Sequence, residues 1–190
     1  MILSNADIRK ALKDGRLTID PMPAEEQIDT TSIDLRLGEP LWIWDPELSK
    51  TKGDEPKIDA DQLNFKELSE RYLVEVPRES SGQYAIWPQM VYLASTFEKI
   101  KLPIRSRLSA RVEGKSSLAR LGLTVHMTAP TIHCGTGFGI ITLEIYNHGP
   151  FSIEVTPGTT RICQLIIEQV LSEPEERSER TFSAQKNPKG

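Results

Sequence analysis

Gly139-Ile140-Ile141-Thr142-Leu143-Glu144-Ile145-Tyr146 is the run that decides the fold class. Ile141, Leu143 and Ile145 alternate with Thr142, Glu144 and Tyr146, the period-two pattern of a strand with one apolar face. Short apolar runs recur at residues 72–76, 84–87, 91–97, 123–127, 151–155 and 162–170, separated by turn signals. So many short strands predict a mainly β domain, a distorted barrel or sandwich with a few short helices, rather than alternating α/β.

Upstream, Thr31-Ser32-Ile33-Asp34-Leu35-Arg36-Leu37-Gly38 alternates in the same way, and Leu41-Trp42-Ile43-Trp44 follows. The pair predicts a first hairpin. Ser4 and Asp7 have capping-box spacing, so a helix is expected over residues 5–14, with Ile8 and Leu12 on one face and Gly15 as its stop. Residues 45–70 are charged and apolar-poor, a surface excursion whose only periodic piece is 63–68. Leu118 and Leu121, after Ser116-Ser117, predict a short helix capped by the serine pair.

The chain has 190 residues, 38% hydrophobic and 26% charged, enough for one core. Residues 1–171 are expected to form the domain, and 172–190 a polar tail with Phe182 as its aromatic. A net charge of -4 supplies no broad basic surface, which argues against a nucleic-acid polymer as partner. Two cysteines outside any C-x-x-C pair point to a reducing cytoplasm. No run approaches the ~20 apolar residues of a membrane helix, and the opening residues lack a signal-peptide pattern, so no membrane association is expected.

Gly114-Lys115-Ser116 is not a Walker loop, because residue 109 is serine. Lys115, the two serines and Arg120 around a helix start suit phosphate oxygens, or else make a capped helix with a solvated basic face. Glu144 becomes a general base if its strand face is dry, and a solvated carboxylate if it is not. Neither H-x-E nor P-C-x-x-C is present, so no protein-bound zinc is expected. His126 reads as a hydrogen-bonded core or interface histidine, and Cys134 and Cys163 as small buried residues.

Taken together, several segments resemble the trimeric dCTP deaminases, which share a β fold with the trimeric dUTPases. They are Met1-Ile2-Leu3-Ser4 with Asp7-Ile8, residues 15–21 and 32–38, the central Gly114-Lys115-Ser116-Ser117-Leu118-Ala119-Arg120-Leu121-Gly122-Leu123, His126, Thr128-Ala129, Leu143-Glu144, Pro157-Gly158 and 161–165. The resemblance implies a dUTPase-like fold and hydrolytic deamination of dCTP to dUTP and ammonia, with no metal ligand from the protein. Glu144 would be the general base, Ser116 and the Ala129 carbonyl would position water, and Arg120 would stabilise charge. Lys115, Ser116, Ser117, Leu118, Ala119 and Arg120 would hold triphosphate and cytosine. Thr142 and Leu143 would line the nucleoside pocket, and Gln164 and Gln185 would contact the nucleotide.

The same resemblance implies Mg2+ carried by the triphosphate, a homotrimer with sites between subunits, a tail that closes over nucleotide, and dTTP as an inhibitor. His133 stands where the family usually has aspartate at a sugar or water contact, and this weighs against a pure dUTP diphosphatase. Two alternatives stay open: a bifunctional enzyme giving dUMP and pyrophosphate, and a nucleotide-binding regulator without turnover.

Overall fold

The computed structural model describes residues 1–49, 56–175 and 186–189. Among the described residues four antiparallel sheets carry the fold, so the mainly β expectation holds, and they do not close into a barrel. One sheet orders Thr131–Ile132, Leu108–Gly114, Arg161–Gln169 and Ile33–Arg36. A second orders Leu73–Glu75, Trp42–Trp44, Val91–Ser95, Thr142–Asn147 and Leu123–Thr124. A third joins Thr18–Asp20, Lys99–Leu102 and Thr136–Gly139, and a fourth pairs Ile153–Val155 with Tyr84–Ile86.

The core lies between the two larger sheets. Leu35, Val112, Leu165 and Ile167 from one meet Tyr92, Ala94, Leu143 and Ile145 from the other in a single apolar cluster. Each large side chain buried there stabilises the fold by about 1.5–3 kcal/mol relative to exposure. Helix α1, Asn5–Lys13, starts with the expected capping box of Ser4 and Asp7 and buries Ile8 and Ala11. Gly15 ends the segment with a φ of 68°.

The expected first hairpin does not form. Ile33–Arg36 pairs with Arg161–Gln169, whereas Trp42–Trp44 pairs with Leu73–Glu75 and Val91–Ser95 in the other sheet. The chain changes sheets at Gly38, whose N–H donates to the Ser95 carbonyl at 2.7 Å; a Cβ there would meet Ser95 Oγ at 2.6 Å. The deciding run is itself divided, with Thr136–Gly139 in the three-stranded sheet and Thr142–Asn147 in the five-stranded one. The Ile141 N–H donates to Thr96 Oγ1 at 3.0 Å where the run crosses over.

Helix α2, Phe65–Tyr72, is the periodic piece of the excursion, longer than its sequence pattern suggested. Near the chain's end Pro188 is buried and the Lys189 carbonyl accepts from the Ser69 hydroxyl at 2.9 Å. The Lys189 ammonium sits 3.9 Å from the Trp42 ring centre. Among the described residues no helix is long and apolar enough to cross a membrane.

One close approach fixes how the central loop leaves its sheet. Gly122 has a φ of 94°, its carbonyl accepts from the His148 N–H at 2.8 Å, and a Cβ would fall 2.7 Å from Gly149 Cα. Gly122→Ala is expected to cost about 2 kcal/mol or more, through left-handed strain plus a clash with immobile backbone. Urea unfolding measures it; a loss under about 0.5 kcal/mol would contradict the close approach.

Candidate active site

Alternation in Thr142–Asn147 sends Leu143 and Ile145 fully into the core and leaves Thr142, Glu144 and Tyr146 half-buried on the opposite face. Glu144 lies across from Leu93, which in turn faces Trp42, so the carboxylate ends an apolar row. Burial raises the Glu144 pKa above the ordinary 4.5; the Met127 backbone, its own backbone and nearby His126 oppose the shift without cancelling it. A carboxylate so placed accepts a proton more readily than one in water.

His126, near this carboxylate, also faces a second one. Its Nε2 lies 3.9 Å from Glu113 Oε2, and Glu113 also faces Arg111 Nε at 3.4 Å. His126 Nδ1 is buried and has no hydrogen-bond partner, so the expected hydrogen-bonded core histidine is found only half-buried, with one nitrogen unsatisfied.

The segment after Gly114 forms a one-turn helix α3, Ser116–Ala119. Its N-cap is Lys115, with no side-chain cap bond, not the serine pair; both serines lie inside the turn. Leu118 packs against the core, while Ser116, Ser117, Ala119 and Arg120 are exposed. No hydrogen bond or ion pair to the Arg120 side chain occurs among the described residues. Exposed hydroxyls, first-turn amides and an unpaired guanidinium make a donor-rich surface suited to an anion.

Lys115 itself is engaged. Its ammonium is ion-paired with Asp34, whose second oxygen lies 3.7 Å from Arg161 Nη1. Gln164 Nε2 donates to the Gly114 carbonyl at 3.0 Å, and Gln164 Oε1 accepts from the Ser32 hydroxyl at 3.0 Å. Behind them Glu98, fully buried, takes the Arg36 Nε at 2.6 Å, the Arg36 N–H at 2.8 Å and Gln27 Nε2 at 3.2 Å. Cys163 is buried, and desolvation, with Glu98 and Asp34, pushes its thiol pKa far up, which leaves it unreactive.

Within one chain the structure therefore sets Glu144, His126 and Glu113 beside one another, and Glu113 is in register with Gln164, which lies next to Asp34 and the Lys115 backbone. No hydrogen bond or ion pair among the described residues joins Glu144 to Ser116 or Arg120. Ala129 is exposed beside Pro130, whose carbonyl accepts from the Val112 N–H at 2.9 Å. Leu143 presents only backbone to the Glu144 face, since its side chain is in the core. His133 is exposed, its carbonyl accepts from the Thr136 hydroxyl at 2.7 Å, and its side chain makes no hydrogen bond or ion pair among the described residues. Gln185 lies outside the described residues.

Asp34, Arg161 and Glu98 escaped the reading from sequence. Their signal was present in Asp34 and Arg36, two charges inside a strand flanked by Ile33, Leu35 and Leu37. Among the described residues no group of three or more His, Cys, Asp or Glu is arranged to hold a metal ion. A concavity lined by Glu39, Pro40, Val76, Pro77, Arg78 and Tyr84 contains none of the residues above.

The family model described as dCTP deaminase-like matches residues 2–170. A protein of Methanosphaera stadtmanae named "dCTP deaminase, dUMP-forming" is 40% identical over 179 residues, 92% of this chain and 82% of its own. One of Rhodospirillum rubrum named "dCTP deaminase" is 36% identical, over 90% of this chain and 84% of its own. The solved 2'-deoxycytidine 5'-triphosphate deaminase of Agrobacterium tumefaciens superposes with a TM-score of 0.61 at 24% identity. That match covers 87% of this chain and 47% of the other, and it shows the shared fold.

The Glu144 environment has a thermodynamic consequence. Its folded-state pKa lies above the unfolded value, so the native state holds the proton more tightly, and ionised Glu144 costs stability. That cost is absent below the ordinary 4.5 and grows as pH rises through the folded pKa. Glu144→Gln is expected to melt at or above the parent temperature at neutral pH, with the gain vanishing in acid. A parent more stable than the variant at neutral pH and equal in acid would reverse the sign.

Proposed function

The chain belongs to the dCTP deaminase-like family, and from that membership we propose that it hydrolytically deaminates dCTP with release of ammonia. The observation that carries the reading is Glu144, a carboxylate raised by burial on the non-core face of its strand. In this reading Glu144 takes a proton from water as its oxygen bonds to carbon 4 of cytosine. The proton passes to ring nitrogen 3, and a second, from the new hydroxyl, goes to the amine. The carbon–nitrogen bond then breaks, leaving a uracil ring and ammonia. Ser116 and the Ala129 carbonyl orient the water, and Arg120 offsets charge in the tetrahedral intermediate.

Lys115 and residues 116–120 hold the triphosphate, which brings Mg2+ with it on phosphate oxygens. Thr142, the Leu143 backbone, Gln164 and Gln185 contact the nucleoside, and His133 stands at the sugar side. Sites assembled between copies, as in a homotrimer, follow in this reading from the family membership. dTTP, which keeps the triphosphate but lacks the amine, is the natural competitor, and the reaction draws on the cytoplasmic nucleotide pool.

A second reading concerns the product. The Methanosphaera stadtmanae and Methanobrevibacter smithii relatives are both named dUMP-forming, and this favours cleavage of the triphosphate as well, to dUMP and pyrophosphate. Incubation of the protein with dCTP and Mg2+, followed for ammonia, dUTP, dUMP and pyrophosphate, separates the readings. Ammonia with accumulating dUTP supports the first, and ammonia with dUMP and pyrophosphate the second. Nucleotide bound without turnover would leave a regulator. Glu144→Gln is expected to lower kcat by about 1000-fold or more while nucleotide still binds.

A further inference from the structure

We propose that Asp34 is a positioning residue that presents Lys115 to the polyphosphate of the substrate. The proposal rests on the reading of residues 115–120 as the segment that holds the triphosphate.

Asp34 sits in the strand Ile33–Arg36 with its side chain 9% exposed, and Lys115 is 26% exposed. A carboxylate so dry requires partners, and it has two: the Lys115 ammonium on one oxygen and Arg161 Nη1 at 3.7 Å from the other. An ammonium has three N–H donors; Asp34 engages one, and the exposed side of Lys115 leaves the others for a ligand. The backbone on the N-terminal side of the lysine is clamped as well. Gln164, in register with both Asp34 and Glu113, donates to the Gly114 carbonyl at 3.0 Å.

Side chain and backbone of Lys115 are therefore held by adjacent strands of one sheet. A free lysine carries a flexible four-carbon stem whose ordering opposes binding. Asp34 removes that freedom before the ligand arrives. The structure offers no comparable anchor for Arg120, whose side chain makes no hydrogen bond or ion pair among the described residues. Lys115 is thus the preorganised cation of the segment, and Arg120 the adaptable one.

The test is a double-mutant cycle of Asp34→Asn and Lys115→Gln, with KM and kcat for dCTP and inhibition constants for inorganic tripolyphosphate and deoxycytidine. Asp34→Asn is expected to raise the dCTP KM and the tripolyphosphate constant by about tenfold, with kcat changed by less than about twofold. The deoxycytidine constant should not move, because that ligand has no phosphate. In the Lys115→Gln background the second substitution should add nothing. Equal effects of Asp34→Asn in both backgrounds, or a loss of deoxycytidine affinity to match, would overturn the proposal. Asp34→Glu keeps the charge and the pairing, and covers the case in which asparagine prevents folding: it should raise KM less than Lys115→Gln does, and a KM increase as large or larger overturns the proposal. A parent protein that binds no dCTP would instead overturn the substrate reading.

Discussion

A β-strand can send only every second side chain into the core, and the Thr142–Asn147 strand binds the candidate site to that rule. Burying Leu143 and Ile145 forces Glu144 onto the other face, where Leu93 and the 126–127 turn keep water partly away. The same register buries Asn147, whose Nδ2 donates to the Ile86 and Phe151 carbonyls at 2.8 Å each. Asn147 Oδ1 in turn accepts from the Gly149 N–H at 3.0 Å, which shapes the turn that Gly122 packs against. One register thus sets the carboxylate and anchors the end of the 115–122 loop. A slip by one residue would bury Glu144 in the core and release that turn.

Charge is organised in depth behind this arrangement. Arg36 and Gln27 satisfy the buried Glu98 carboxylate, the condition under which an interior charge is tolerated. Asp34 comes next, nearly buried, and its two cationic partners, Lys115 and Arg161, reach the surface. The series runs from a fully buried carboxylate, Glu98, to a lysine with free donors at the end of the Leu108–Gly114 strand. Rigidity of this kind favours a site that must hold a polyanion in one orientation.

Much of this was legible in the sequence, for reasons specific to each element. The Ser4 and Asp7 box marked α1 because capping is local chemistry. Alternation marked Thr142–Asn147 and placed Glu144 on its face. Residues 115–120 read as either a phosphate site or a capped helix, and the resemblance favoured the first. What was lost is non-local: Ile33–Arg36 and Trp42–Trp44 read as a hairpin because nothing in their pattern records that Gly38 carries the chain to another sheet. Leu108–Gly114 escaped because Arg111 and Glu113 made a half-buried strand read as polar. The Asp34–Lys115 pair joins a strand to a helix cap distant in sequence, so no local pattern could announce it.

The central claim is that burial against a strand face, not mere proximity of groups, prepares Glu144 as a base. The most direct measurement is a titration of the Glu144 carboxyl carbon by NMR, in protein with labelled glutamate and assigned through Glu144→Gln. The account expects an apparent pKa above the ordinary 4.5 in the free protein, rising further when a cytosine nucleotide covers the site. A value at or below the ordinary one, unmoved by nucleotide, would contradict it.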